Sequence, residues 1–146
     1  MWVILYVVTK LAAYCGWCYY GLAKFRPESS NRAGAAFGLG LLRLLMGLVF
    51  GGIIYLASSF LAPALWSLPG REVLTYASTY VPIRWVEWTL MAIVITPGSR
   101  SFGSWLFGWD GASRLWRLGG IAISCLADLP IIASVGWMLP VGRFMC

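Results

Sequence analysis

Four long apolar runs, parted by short connections rich in Pro, Gly and Arg, constrain this chain more than any other feature. They cover residues 2–22, 35–61, 73–96 and 118–139, to within a few positions. A helix rises about 1.5 Å per residue, so about 20 residues cross a hydrocarbon core of about 30 Å, and each run is long enough. In lipid the backbone polar groups must be satisfied within the segment, which selects helices. A β-barrel needs shorter segments of alternating polarity, and these runs are too continuous for that. The sequence therefore predicts an all-α integral membrane protein. It is expected to form one transmembrane domain over residues 1–146, a four-helix bundle with no loop long enough to hold a soluble domain.

Composition points the same way. Of the 146 residues 60% are hydrophobic and only 11% charged, whereas a soluble domain carries about a quarter charged residues. The mean hydropathy is +0.79. So few polar groups cannot cover a water-facing surface. The nine Trp suit a chain that crosses two membrane–water interfaces. The opening "MWVILYVVTK" has no basic segment ahead of its apolar run and no A-x-A-like site follows, so it is expected to be the first span and not a cleaved leader. The closing "RFMC" is not a prenylation box.

The net charge is +6. Lys and Arg gather in the connections: Lys24, Arg26 and Arg32 in the first, Arg71 in the second, Arg100, Arg114 and Arg117 in the third, and Arg143 in the tail. This alternation places the first and third connections in the cytoplasm and both termini on the non-cytoplasmic side. The expected location is the inner (cytoplasmic) membrane of a bacterium. Topology signalling and contact with anionic headgroups account for the basic balance, and no nucleic acid partner is expected. Within the third connection, Trp105, Phe107, Trp109 and Trp116 beside scattered charge predict an interfacial segment.

Five charges interrupt the apolar runs: Lys10, Arg43, Arg84, Glu87 and Asp128. Counted at 1.5 Å per residue, Lys10, Arg84 and Asp128 lie about 14–16 Å from the face their run enters, and Arg43 lies about 12 Å in, level with Glu87. A charge at mid-bilayer costs about 2.5–3.5 kcal/mol, so five require pairing. Depth matches Asp128 with Lys10 or Arg84, and Glu87 with Arg43; Arg84 and Glu87 are also spaced to pair within one helix. One positive charge is left over, 3 − 2 = +1, to be met by a carbonyl, a headgroup, a substrate anion or a partner protein. The cluster is an ion, proton or anion pathway or a binding site on one reading, and on the other an ionic clamp that fixes helix register or a set of charges that pair with another subunit.

Small residues mark the expected contact faces. Gly34 and Gly38, and Gly40, Gly47 and Gly51, lie in the second run; Gly120 and Ser124 lead at four-residue steps to Asp128 in the fourth. Such faces let backbones approach closely, within one chain or in a homo-oligomer. Pro130 is expected to kink the fourth helix near its midpoint.

Two short motifs carry resemblances. Arg84-Trp85-Val86-Glu87-Trp88 resembles the third helix of microbial rhodopsins, where an arginine and a carboxylate three residues on help form the retinal counter-ion region. The likeness covers five residues, in a chain with four runs instead of seven and no lysine in the last. Cys15-Gly-Trp-Cys18 resembles the early C-x-x-C of quinone-linked disulfide-forming membrane enzymes, which implies a second pair, here Cys125 and Cys146. The charge alternation places Cys18 near the reducing side and Cys125 inside a run, where those enzymes have their pairs outside.

There is no histidine, which removes the commonest ligand for haem, copper and zinc and the commonest general base. No metal, no cofactor and no haem held through His are expected, and no catalytic constellation is legible. The leading expectation is a small polytopic subunit of a larger membrane complex, with other membrane subunits and lipids as partners. An oligomeric transporter or channel using Lys10, Arg84, Glu87 and Asp128 is the second expectation, and a membrane thiol–disulfide oxidoreductase using Cys15 and Cys18 the third.

Overall fold

The computed structural model describes residues 2–64, 71–96 and 111–135. Among these the chain is all-α, with four helices and no strand: α1 Trp2–Phe25, α2 Arg32–Ala64, α3 Arg71–Ile95 and α4 Gly111–Val135. Helical hydrogen bonding continues past the apolar runs into polar first turns, so boundaries drawn from apolarity alone fall short. The largest correction is at α4, which starts at Gly111 instead of near 118. Arg114, Trp116 and Arg117 are therefore helical and not part of a connection. The expected interfacial residues Trp105, Phe107 and Trp109, together with positions 136–139 and Cys146, lie outside the described residues.

Local chemistry explains the one described turn. Asn31 caps α2 by accepting the Gly34 amide on its Oδ1 at 3.0 Å. So short a link makes α1 and α2 antiparallel neighbours. Pro82 lies inside α3, which absorbs a missing amide donor without ending. α4 runs through Pro130 to Val135, so that proline sits within its last two turns and not at its midpoint.

The helices close a ring: α1 packs on α2, α2 on α3, α3 on α4, and α4 back on α1. α1 and α3 also meet across the diagonal. Phe25 packs edge-on against Trp116, with ring centroids 6.2 Å apart, and Arg26 donates to the Val94 carbonyl at 3.1 Å. The C-terminal ends of α1 and α3 thus share one end of the bundle with the starts of α2 and α4. Within α2, Arg32–Ile54 is long and apolar enough to cross a membrane, the only such segment among the described residues.

Inward positions recur at helical spacing. They are Tyr6, Lys10, Tyr14, Cys18 and Leu22 on α1; Ala36, Gly40, Arg43, Gly47, Gly51 and Ile54 on α2; Tyr80, Arg84, Glu87, Trp88 and Met91 on α3; and Trp116, Arg117, Gly120, Ser124 and Asp128 on α4. The half of the core nearer the Phe25 end is aromatic. Trp88 meets Trp116 edge-on at 5.2 Å, and Trp116 stacks on Trp17 at 6.5 Å. Trp17 and Trp116 also exchange hydrogen bonds, each indole N–H donating to the other's backbone carbonyl, at 3.0 and 3.3 Å.

Glycine makes this closeness possible. A Cβ on Gly119 would lie 2.3 Å from the Trp17 ring, and one on Gly120 would lie 2.4 Å from Trp88. On the α1–α2 face, a Cβ on Gly40 would meet Cys15 Sγ at 2.5 Å and its backbone nitrogen at 3.0 Å. Gly40→Ala and Gly120→Ala are therefore expected to destabilise the bundle by about 1–3 kcal/mol through overpacking. Gly38→Ala and Gly52→Ala, with nothing within 4 Å, are expected to be neutral or to gain up to about 1 kcal/mol of helix propensity. Unfolding in mild detergent checks the contrast, and equal effects at all four sites would contradict it.

Candidate functional site

Lys10, Arg43, Arg84 and Glu87 are each 0% exposed and Asp128 3%, so all five charges face inward. They form two ionic units hinged on α3. In the first, Asp128 of α4 binds two bases: Lys10 Nζ of α1 stands 2.8 Å from Oδ1, and Arg84 Nη2 of α3 engages Oδ2. The Tyr6 hydroxyl adds a third donor, reaching Oδ1 at 2.8 Å. Arg84 also donates through Nη1 to Cys125 Sγ at 2.7 Å. In the second unit, Arg43 Nη2 of α2 donates to Glu87 Oε2 of α3 at 2.5 Å. Together the two units tie every helix to at least one neighbour by buried charge.

Depth counting along the sequence left Lys10 and Arg84 as alternatives for Asp128; a carboxylate has two oxygens, and both bases use it. Arg84 and Glu87, three residues apart on α3, diverge to Asp128 and Arg43.

Sequence reasoning missed a sixth buried charge. Arg117 of α4 is 0% exposed, donates to Thr89 Oγ1 at 3.2 Å and lies over the Trp85 ring at 4.3 Å. The described buried charges therefore number four bases and two acids, 4 − 2 = +2 formally. An aromatic face meets every one of the four. Lys10 lies over Tyr6 at 4.7 Å, Arg84 over Tyr80 at 5.6 Å, and Arg43 between Tyr14 at 5.0 Å and Trp88 at 5.3 Å. A ring face attracts a cation by about 0.5–2 kcal/mol, more when water is excluded. The signal was present in the sequence as an aromatic residue one helical turn before a base, at Tyr6 and Lys10 and again at Tyr80 and Arg84.

Ser124 accepts the Trp88 indole N–H at 3.1 Å and donates to the Gly120 carbonyl at 2.9 Å, so one small face of α4 seats Trp88. Gly47 and Gly51 are buried on α2. Cys15 and Cys18 are both free thiols, Cys18 wholly buried. No three Cys, Asp or Glu side chains gather in a metal-binding group among the described residues.

Four buried polar atoms around the Arg43–Glu87 pair make no hydrogen bond: Arg43 Nε and Nη1, Glu87 Oε1 and the Tyr14 hydroxyl. Asp128 takes three donors, and its unit leaves one such atom, Arg84 Nε. The two units thus differ in chemical completeness. Comparison of the chain with protein-family models, with curated proteins and with solved structures gave no match.

Proposed function

We propose that this chain is a small four-span membrane protein, a structural subunit of a larger membrane complex, whose buried charges clamp its own helices together. The observation that carries this reading is an inverted distribution of polarity. Among the described residues six charged side chains are buried, while twenty large hydrophobic residues are exposed, from Leu41 and Leu42 at 40% to Phe60 at 80%. Water would penalise that surface, since soluble monomers rarely expose contiguous apolar patches beyond a few hundred Å². Lipid accepts it. The charges on α1, α3 and α4 that interrupt their apolar runs, Lys10, Arg84, Glu87 and Asp128, point inward. Inward charge and outward apolar side chains support the reading of all four helices as spans. The non-cytoplasmic termini and the inner-membrane location belong to the same proposal.

The subunit role is supported by the short link between α1 and α2, by the long apolar outer face of α2, and by charges already engaged inside the bundle. The test is extraction followed by sizing. The protein is expected to stay in the membrane after alkaline carbonate washing, and to elute from mild detergent with other integral membrane proteins, well above its own 16.1 kDa. Release by carbonate would contradict the spans, and elution alone at its own mass would contradict the subunit role.

An oligomeric transporter or channel is the second reading. It is favoured by the unfilled hydrogen-bonding capacity at Arg43, Glu87 and Tyr14, atoms a moving ion or proton could engage. Glu87→Gln in proteoliposomes separates the two. Loss of flux with the bundle intact would establish transport, whereas a clamp predicts loss of stability with no flux to lose.

A further inference from the structure

We propose that the Arg43–Glu87 unit is a binding site for one buried water molecule, held by Arg43 Nη1, Glu87 Oε1 and the Tyr14 hydroxyl. The water draws α1 into a link between α2 and α3. The inference deepens the clamp reading above and rests on it.

The ion pair is single-pronged. Arg43 Nη2 donates to Glu87 Oε2 at 2.5 Å. A guanidinium that meets a carboxylate squarely makes two parallel bonds. Here the second does not form, and Arg43 Nη1 and Nε and Glu87 Oε1 have no hydrogen-bond partner in the protein. The Tyr14 hydroxyl has none either. The Tyr14 ring lies 5.0 Å from the Arg43 guanidinium carbon and meets Trp88 edge-on at 5.9 Å, so its hydroxyl is carried beside the pair. Tyr14, Arg43 and Glu87 are each 0% exposed, which puts these atoms beyond the reach of bulk solvent. Each buried polar group left unmet would weigh against the folded state by about tenfold or more in equilibrium. Native interiors meet such groups, with ordered water where the protein offers no partner.

The atoms select water over an ion. The Arg43 nitrogens only donate, the Glu87 oxygen only accepts, and the Tyr14 hydroxyl does either. An anion would gain at Arg43 and be repelled at Glu87 Oε1, and a cation would meet the reverse. Water has two lone pairs and two hydrogens. It can accept from Arg43 Nη1, donate to Glu87 Oε1 and bond the Tyr14 hydroxyl in either sense. Three partners lie within the range of two to four that a buried water uses. Gly47, one turn beyond Arg43 on the inward face of α2, brings no side chain to compete for the place.

The other unit shows the same design with a direct contact. Tyr6, Lys10 and Tyr14 stand at four-residue steps on the inward face of α1. The Tyr6 hydroxyl reaches the Asp128 carboxylate at 2.8 Å. Tyr14, two turns on, lies against the second base–carboxylate pair, and a water supplies the reach its hydroxyl lacks.

The test is crystallography of the detergent-solubilised protein, from crystals grown in bromide, at a resolution that shows ordered water. A peak is expected within about 2.5–3.2 Å of Arg43 Nη1, Glu87 Oε1 and Tyr14 Oη, with no anomalous signal from bromide. No peak at that place would overturn the proposal, as would an anomalous signal there or a pair rotated into two parallel bonds. Tyr14→Phe reads the hydroxyl in solution, because the ring beneath Arg43 is kept. It is expected to lower the folding equilibrium constant about 3–10-fold in the wild type. In the Arg43→Met, Glu87→Leu background, where no pair is left to bridge, the loss is expected to stay below about twofold. Equal losses in the two backgrounds would overturn the link to Tyr14. If Glu87→Gln costs stability and no water stands at the site, the clamp survives and this inference alone fails.

Discussion

Asp128→Asn is expected to lower the unfolding free energy in bicelles by about 3–5 kcal/mol, the range for breaking a buried ion pair from one side. Asparagine keeps the size of the side chain, and the Tyr6 hydroxyl can still donate to its carbonyl. What is lost is the charge that serves two wholly buried bases, Lys10 and Arg84. Their rings at Tyr6 and Tyr80 remain and return only part of the loss. Adding Lys10→Met to Asp128→Asn should recover stability, because it removes a stranded ammonium and leaves a side chain of similar volume. A loss below about 0.5 kcal/mol for Asp128→Asn would place the change with ordinary surface substitutions, and the triad would then not be a clamp.

The Arg43–Glu87 pair should behave differently, because it is a simple pair within one interface. Glu87→Gln and Arg43→Met are each expected to cost about 3–5 kcal/mol, since each strands one buried charge. The double variant Arg43→Met, Glu87→Leu should return to within about 1 kcal/mol of wild type, because replacing a whole buried pair by apolar groups is often neutral or stabilising. The four polar atoms left without hydrogen bonds there strengthen this expectation. The double variant removes three of them, keeping only the Tyr14 hydroxyl. Simple addition of the two single losses would show that the partners act independently.

Much of this arrangement could be read from spacing alone. A fixed rise per residue put Asp128 level with Lys10 and Arg84, and Glu87 level with Arg43, before any contact was known. Three elements were not legible, each for its own physical reason. Arg117 was counted with a connection because the apolar run begins at Leu118, although helical hydrogen bonding starts at Gly111. The aromatic faces beneath the bases lie outside the compensations that spacing suggests, an acid, a carbonyl, a headgroup or an external anion, because a ring face carries no formal charge. The Trp17–Trp116 exchange over Gly119 depends on the direction each indole takes across an interface, which residue spacing does not encode. Glycine spacing fared unevenly: Gly40 and Gly120 meet neighbours closely, whereas Gly38 faces open space. Gly38 and Gly40 stand on different faces of α2, about 200° apart, and only the face turned to α1 needs its glycine.

The central claim is that all four helices lie in lipid with their charges turned inward. Spin labels at Val8, Leu45, Val81 and Leu126, one on the exposed face of each helix, test it most directly in bilayers after the four native cysteines are replaced by alanine. All four positions are predicted to show high accessibility to oxygen and low accessibility to a water-soluble nickel chelate. Lipid-like behaviour at Leu45 alone, with chelate access at Val8, Val81 and Leu126, would contradict the four-span bundle and leave α2 as the one helix in the membrane.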